Sequence, residues 1–337
     1  MHISKLFYLR TTGHKDLDFV DIDEVKDTKL FIDPYVIQAL DDGFCIEAQK
    51  SINSFFRELF IACKKRDLHR LRELLEHATE PNETNLGMKT KSIYGKGATA
   101  SELSSLFLEF FKLVCKNPTL ENDPLALCIY IKNFDKDKMS DLITNIIRKH
   151  LYYFTMQQVD KHKIQLSDEI VDSVKNGLFH IYSVSTIDPI GYYWNDKSLM
   201  WEELKGKALC TGYGLVLLVP KNIVRSRYIF NVECYIKQYI MSVLQKKHLD
   251  NRTDLCTKRE MKNGTVKLLP PTKKELYAKE VNGTIHKDYA FNYSINDKDT
   301  ENKFLNNMLL RIKKGEGKLS DDELDRLVYE KRTKIAS

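Results

Sequence analysis

The sequence has few residues that interrupt regular structure, and it lacks the long apolar runs of membrane proteins. Glycine and proline account for 14 and 8 of the 337 residues, against 17 tyrosines and 16 phenylalanines, which favours a well-packed, helix-rich interior. No apolar run approaches the roughly 18 residues that span a bilayer. The first residues show no cleavable signal pattern. These absences predict a globular, cytoplasmic protein without a membrane segment.

Closely spaced metal-binding pairs are also missing. The seven cysteines include no CxxC pair, and the nine histidines include no HxxxH or HExxH pair. Because zinc sites are built from such pairs, the sequence predicts no zinc site. The cysteines are interpreted as free thiols, mostly buried, in a reducing compartment.

A nucleotide-binding loop is absent too, although Gly95-Lys96-Gly97 first resembles one. A P-loop needs Ser or Thr after its lysine and a buried strand before it, whereas Lys96 is followed by Gly97. Two interpretations remain. The loop carries a cation into a helix with a capping box, where it could hold a phosphate, or it is an ordinary flexible connection.

Charge is abundant and unevenly distributed. Charged residues make up 30% of the chain and hydrophobic residues 42%, as in soluble globular proteins. From Lys221 onward there are 25 Lys and Arg against 16 Asp and Glu, whereas the preceding part has 28 against 31. The basic C-terminal third indicates either a nucleic-acid partner or an ordinary solvated surface with interspersed charges.

Hydrophobic periodicity predicts an α+β fold that is predominantly helical, with a small, mostly buried β-sheet. Predicted strands cover 2–9, 28–34 and 213–220, and the segment around "WEELKGKA" lacks a strand pattern. Predicted helices cover 47–77 (with a polar break), 99–114, 136–159, 167–176, 228–249, 297–314 and a segment after Ser320. We expect a helical region over 1–176 and a mixed, basic region over 177–337; a single domain with a helical appendage fits equally well.

Acidic residues recur at helical spacing in two places. Glu80 and Glu83 lie three residues apart, while Asp137, Asp141 and Asn145 form one ridge of a predicted helix. Oxygen ligands of this kind suit Mg²⁺. The alternative is a solvated helix face whose first turn favours acidic residues.

Further candidates stand where predicted strands end. Asp33 follows the strand "KLFI", and Lys221 follows "YGLVLLVP"; each is either a site residue on a rigid support or a turn residue. Asp188 with Glu203-Leu204-Lys205 matches the spacing of a restriction-nuclease core, but the pattern also arises by chance in a charged chain.

The blocks "LFIDPYVI", "EPNETNLG", "YGKGATASEL", "DKMSDLITNIIRKHLYYFT" and "LLVPKNIV" resemble the signature blocks of a family of bacterial proteins associated with mobile and phage-defence gene neighbourhoods. The resemblance covers about residues 28 to 225. It implies a bacterial cytosolic protein that acts in defence beside a partner such as an ATPase. It singles out nine positions: Asp33, Glu80, Asn82, Glu83, Lys96, Asp137, Asp141, Asn145 and Lys221.

The leading hypothesis from the sequence is a metal-dependent nuclease of an antiphage system. Lys96 or Lys221 would stabilise charge on a scissile phosphate, and the basic C-terminal third would contact the nucleic acid. The Mg²⁺ ligands would come from Asp33, Glu80, Glu83, Asp137 and Asp141, with Asn145. The alternative is a non-catalytic subunit that senses phage or binds a partner protein.

Overall fold

A computed structural model describes residues 1–77, 79–87, 111–113, 115–116, 120, 124–132, 134–164, 186–211 and 213–330. The mainly helical α+β class predicted from the sequence is confirmed, with 55% helix and 13% strand among these residues. Within the described residues, no helix is long and apolar enough to cross a membrane.

The helices of the described residues are short to medium in length, and α3 is the longest of them at 23 residues. A π-helical turn, Tyr235–Ile240, joins the helix Val232–Cys234 to the helix Met241–Asp250. The helices are α1 (Ile3–Leu6), α2 (Pro34–Ala39), α3 (Gly43–Lys65), α4 (Leu68–Leu75), α5 (Leu127–Tyr130), α6 (Lys136–Ile146), α7 (Arg148–Lys161), α8 (Val232–Cys234), α9 (Met241–Asp250), α10 (Lys273–Glu280), α11 (His286–Asn296), α12 (Lys298–Lys313) and α13 (Asp321–Tyr329).

The strands form four separate two-stranded antiparallel ladders in the described residues, rather than the one small sheet that the sequence predicts. Among these four, only the ladder that pairs Phe31–Ile32 with Val224–Arg225 is buried on all its residues. The pairs are β1 (Phe31–Ile32) with β6 (Val224–Arg225), β2 (Thr186–Asn195) with β3 (Met200–Lys207), β4 (Cys210–Thr211) with β5 (Gly214–Leu215), and β7 (Thr257–Glu260) with β8 (Val266–Leu269).

One contiguous hydrophobic core runs through the molecule, with members from Ile3 to Leu324. The β1–β6 ladder lies against α6, and the Ile32 N–H of β1 donates to Ser140 Oγ of α6 at 2.9 Å. This contact fixes the helix that carries Asp137 and Asp141 relative to the end of β1. The division into regions 1–176 and 177–337 stays a prediction, since its boundary lies outside the described residues.

Several predicted helices are confirmed in position. The polar break in 47–77 separates α3 from α4 at Arg66-Asp67, where Arg66 adopts a left-handed φ of 56°. The predicted helix 136–159 is divided at Ile147 into α6 and α7. A capping box of Ser320 and Glu323 begins α13 as expected. The predicted helices 99–114 and 167–176 lie wholly or largely outside the described residues.

Two strand assignments are wrong, and a third is correct only in part. Residues 3–6 form a helix, because Ile3, Leu6 and Phe7 fit helical rather than alternating spacing. The "WEELKGKA" segment, thought unlike a strand, lies mostly in β3. Of the predicted strand 213–220, Gly214–Leu215 form β5, whereas the buried run 216–219 lies outside any ladder of the described residues. Its backbone N–H groups donate to partners in different parts of the chain: Leu217 N–H donates to Glu83 O and Leu218 N–H donates to Thr155 Oγ1, both at 2.8 Å.

Candidate functional site

Four carboxylates from three parts of the chain form what we call the acidic cluster: Asp27, Glu80, Asp137 and Asp141. Asp137 and Asp141 lie one turn apart on α6, and Glu80 precedes the 3₁₀ turn Asn82–Thr84. The loop that carries Asp27 is tied to the segment after Glu80, since Thr28 N–H donates to Asn85 O at 2.8 Å and Gly87 N–H donates to Thr28 O at 3.0 Å. Chain segments distant in sequence therefore deliver acids to one place.

The closeness of these acids is visible in their electrostatics. Burial raises the pKa of Asp141 to about 8, and the negative charges of Asp137, Glu80, Asp135 and Asp27 contribute to the increase. Burial also raises the pKa of Glu80, again with contributions from Asp27 and Asp137. Among the residues that the structure describes, the charged neighbours that most affect the pKa of Asp141 are thus all acidic, and they favour its protonated form.

The backbone passes close to one of these carboxylates. Gly87 has a φ of +125°, and a Cβ at this position would lie 3.1 Å from Asp137 Oδ1. Because both the conformation and the spacing oppose a side chain, glycine allows the segment to pack against the cluster. Asp135, by contrast, has an ordinary role as the N-cap of α6, where it accepts from Asp137 N–H at 3.2 Å.

Glu83 and Asn145 belong to a different constellation, which we call the arginine network. Glu83 forms an ion pair with Arg148, and the Arg148 guanidinium donates to Asn145 Oδ1. The amide of Asn145 donates to Thr79 O at 2.6 Å and to Asp141 O at 2.9 Å. Both ends of the Asn145 side chain are therefore engaged. Of the predicted Mg²⁺ ligands, Glu83 and Asn145 therefore lie in the arginine network, whereas Asp137 and Asp141 lie in the adjoining acidic cluster.

The arginine at the centre of this network is nearly inaccessible. Arg148 is 7% exposed, and burial lowers its pKa to about 10. A Cβ on Gly191 of β2 would lie 3.0 Å from its Nη1 atom, so the β2 backbone packs directly over the guanidinium. Arg148 therefore connects α7, β2 and the segment of Glu83, next to the acidic cluster.

Asp33 serves as the N-cap of α2, where its Oδ1 accepts from Tyr35 N–H at 3.0 Å. The residue is fully buried, and burial raises its pKa to about 6 against the opposing charge of Arg225. Within the described residues, Asp33 Oδ2 receives no hydrogen bond. Asp33 is not among the neighbours that chiefly shift the pKa of Asp141, and its catalytic role stays a prediction.

Lys221 connects the two ends of the chain. Its Nζ donates to His14 O at 2.6 Å and to Asp321 Oδ1 of α13 at 2.7 Å. The same region includes His14 Nδ1 and Asp325 Oδ1, 2.6 Å apart. In this conformation the lysine charge is used to hold α13. Lys96 and the Gly-Lys-Gly loop lie outside the described residues.

The restriction-nuclease arrangement falls on the β2–β3 hairpin. The register of the hairpin shifts between Ile187 and Gly191, which places Asp188 in the irregular part, and the side chain of Asp188 lies outside the described set. Glu203 pairs with exposed Lys205 at 3.2 Å on the same strand. An ion pair within one exposed strand explains this acid-x-Lys pattern without catalysis.

Two partners of the site were not found from the sequence. Asp27 precedes β1 and lacks helical spacing to the other acids, although it follows a local run of acids at Asp21, Asp23 and Glu24. Arg148 stands in "IIRKHL" as an apparent surface cation. Its burial depends on contacts with Glu83 and Gly191, far away in sequence.

Distances within the cluster limit what it can bind unaided. Within the part of the chain that the structure describes, no three His, Cys, Asp or Glu side chains are close enough to hold one metal ion together. The donor chemistry nevertheless suits Mg²⁺, which is usually held by one or two carboxylates and keeps several water ligands. Asp137 and Asp141, one turn apart on α6, are the two carboxylates that would supply such a site.

Comparison with known sequences gives a family but no activity. A family model described as Domain of unknown function (DUF8370) matches residues 9–231, about two thirds of the 337-residue chain. The chain belongs to this family. No curated protein and no solved structure matches it. The matched DUF8370 segment contains the acidic cluster, the arginine network, Asp33 and Lys221, and it leaves residues 232–337 outside.

Proposed function

We propose that this DUF8370 protein is a Mg²⁺-dependent nuclease that acts in the cytoplasm of bacteria as an effector of antiphage defence. The observation that carries the proposal is the acidic cluster, in which burial and neighbouring carboxylates raise the pKa of Asp141 to about 8. Carboxylates held together in this way repel one another, and a divalent cation removes the repulsion. The antiphage context rests on the sequence blocks that resemble defence-associated proteins.

Asp137 and Asp141 would hold the ion, and Glu80, whose charge contributes to the raised pKa of Asp141, would act through a bound water. A bound Mg²⁺ would supply charge stabilisation for a phosphoryl oxygen and lower the pKa of a water ligand. The chain itself contributes the position of its acids. Ser140 anchors α6 to β1, and Asn145 joins the backbone of α6 to Thr79, next to Glu80. Both contacts keep Glu80 and α6 in one arrangement.

The direct test is cleavage of plasmid DNA and of RNA by the purified protein with Mg²⁺, Mn²⁺ or a chelator. We expect cleavage that requires the metal and that falls at least 100-fold in Asp141→Asn, roughly the scale typical for removal of an essential charge-stabilising group. Asp160→Asn is the matched control, because Asp160 is an exposed acid on α7. Equal cleavage by both variants, or none with any metal, would refute the nuclease proposal.

A second candidate function is a non-catalytic subunit that recognises phage or binds a partner such as an ATPase. The observation in its favour is that Glu83, Asn145 and Lys221 are already engaged by protein groups. In that case the cluster would be a feature of an interface. Phage protection that survives Asp141→Asn, together with co-purification of a partner protein, would favour this function.

A further inference from the structure

An exposed two-stranded ribbon projects from the C-terminal part of the protein. It comprises residues 257–269, in which β7 pairs with β8. Every residue of β7 is exposed, and so is the first half of β8. Apolar side chains lie on it as well, with Val266 63% and Met261 42% exposed. Isolated hairpins are only marginally stable in water, so an arm with two solvated faces is typical of a surface that a partner covers.

The tip of the ribbon has a defined turn. Gly264 adopts a φ of +78°, Gly264 N–H donates to Met261 O, and Met261 N–H donates to Thr265 O, both at 2.8 Å. Asn263 Oδ1 accepts from Thr265 Oγ1 at 2.6 Å. A left-handed glycine in a short loop is the usual way to close such a hairpin. These hydrogen bonds define the conformation of the turn.

Its base is tied to the helices behind it. Gln245 of α9 donates from Nε2 to Pro271 O at 2.8 Å, and Cys256 N–H donates to Thr253 O at 2.9 Å. Pro270 and Pro271 end β8, because proline cannot continue a ladder. Thr272 then caps α10 with Glu275 in a capping box. These contacts anchor both strands and leave the tip free to enter a groove.

The ribbon carries an unbalanced positive charge on a known face. Arg259 stands directly opposite Lys267, and paired residues of antiparallel strands share a face of the ladder. Two like charges in this position destabilise a free hairpin, whereas an anion between them removes the repulsion. Lys258 lies on the other face opposite Leu268, and Lys262 is at the tip. Residues 246–274 together contain nine Lys and Arg against three Asp and Glu.

We infer that this ribbon binds double-stranded DNA by entering its major groove, with Arg259, Lys267, Lys258 and Lys262 on the phosphates and base edges. The major groove, about 12 Å wide, admits a two-stranded ribbon. The strands of such a ribbon are about 4.8 Å apart. The deep, narrow major groove of duplex RNA excludes side chains. The inference deepens the proposed function by naming the substrate class, yet it depends on neither the acidic cluster nor a metal.

The test is fluorescence anisotropy with a labelled DNA duplex of about two helical turns, in a chelator so that no cleavage occurs. The ribbon variant is Lys258→Gln/Arg259→Gln/Lys262→Gln/Lys267→Gln. The control variant is Lys298→Gln/Lys303→Gln/Lys313→Gln/Lys314→Gln, which removes the same charge from exposed positions at α12 and its C-terminal end. Circular dichroism and thermal unfolding check that both variants fold.

We expect the ribbon variant to raise Kd at least tenfold and to reduce the slope of log K against log salt by about three to four, roughly one for each phosphate that the ribbon no longer neutralises. The control should change Kd less than about threefold. Similar increases of Kd in both variants would show that net charge alone is responsible and would overturn the inference. So would equal affinity for duplex RNA, or binding of anionic vesicles but not of DNA.

The outcomes also separate this inference from the nuclease proposal. If ribbon-dependent binding holds while no metal supports cleavage, the DNA-binding arm stands and the nuclease does not. If the protein cleaves with a metal while the ribbon variant binds DNA normally, the nuclease proposal stands and the DNA-binding role of the ribbon does not.

Discussion

Replacing Asp141 with asparagine should stabilise the protein at about pH 8 and have little effect at about pH 4. The pKa of Asp141 is raised from 3.8 to about 8, first by burial and then by the charges of Asp137, Glu80 and other acids. In the unfolded chain the carboxyl ionises above about pH 4, whereas the native chain keeps its proton until about pH 8. The native state therefore binds more protons in this window, and its stability falls as pH rises through it.

The magnitude follows from the size of the shift. Each pKa unit corresponds to about 1.4 kcal/mol, so a shift from 3.8 to about 8 sets an upper bound of about 6 kcal/mol. Asparagine has a similar shape and cannot ionise, but the unfolded chain is not a random coil and the substitution acts on it as well, so the gain falls below this bound. We expect a gain in the free energy of unfolding on the order of 2 kcal/mol at pH 8, or about 3 °C in Tm.

Urea denaturation of both proteins at several pH values without divalent cations provides the measurement. The difference between Asp141→Asn and the unaltered protein should grow from near zero at about pH 4 to its full size near pH 8. Asp160→Asn, at an exposed position of α7, should change stability by less than about 0.5 kcal/mol throughout. A neutral or destabilising Asp141→Asn at pH 8 would refute the repulsion on which the proposed site depends.

Three further predictions follow from the same region. Mg²⁺ should raise the Tm of the unaltered protein more at pH 8 than at pH 6 and should not raise that of Asp141→Asn, because Asp141 must lose its proton before it can bind a metal; differential scanning fluorimetry measures this, and equal shifts in both proteins would contradict it. Arg148→Met should lower the free energy of unfolding by about 3–5 kcal/mol by leaving Glu83 buried and unpaired, and adding Glu83→Gln should recover part of that stability in urea denaturation; no recovery would show that the pair is not coupled. Asp33→Ala should reduce stability by about 1 kcal/mol because the α2 cap is removed, whereas Asp33→Asn keeps the cap and, since burial raises the pKa of Asp33 to about 6, should be neutral or stabilising above that pH; equal destabilisation by both variants would contradict the cap assignment.

The sequence predicted the features that depend on local spacing. The break between α3 and α4, the capping box at Ser320 and the shared face of Asp137 and Asp141 each follow from residues a few positions apart. The run 213–220 was assigned correctly only at Gly214–Leu215, because uninterrupted apolar residues indicate burial without specifying hydrogen-bond partners. Its buried part donates to a loop carbonyl and to a helix side chain instead of to a strand.

The composition of the site depended on contacts that spacing does not encode. Glu83 and Asp141 looked equivalent as candidate ligands, yet one is neutralised by Arg148 and the other faces further acids. The difference arises because α7 brings Arg148 beneath β2. Lys221 follows a buried segment as expected. Its charge, however, pairs with Asp321 of α13, which is 100 residues further along the chain.

The contrast between the two neighbouring groups is itself an argument about function. This fold can neutralise a buried acid, as the pairing of Glu83 with Arg148 shows. Close by, Asp141 is held where burial and acidic neighbours oppose its charge. Arrangements that reduce stability are typical of sites where function requires them. We expect Asp141→Asn to be more stable but inactive, which would show that cleavage requires the unfavourable environment of this carboxylate. A more stable variant that stayed fully active would show that this environment has another origin.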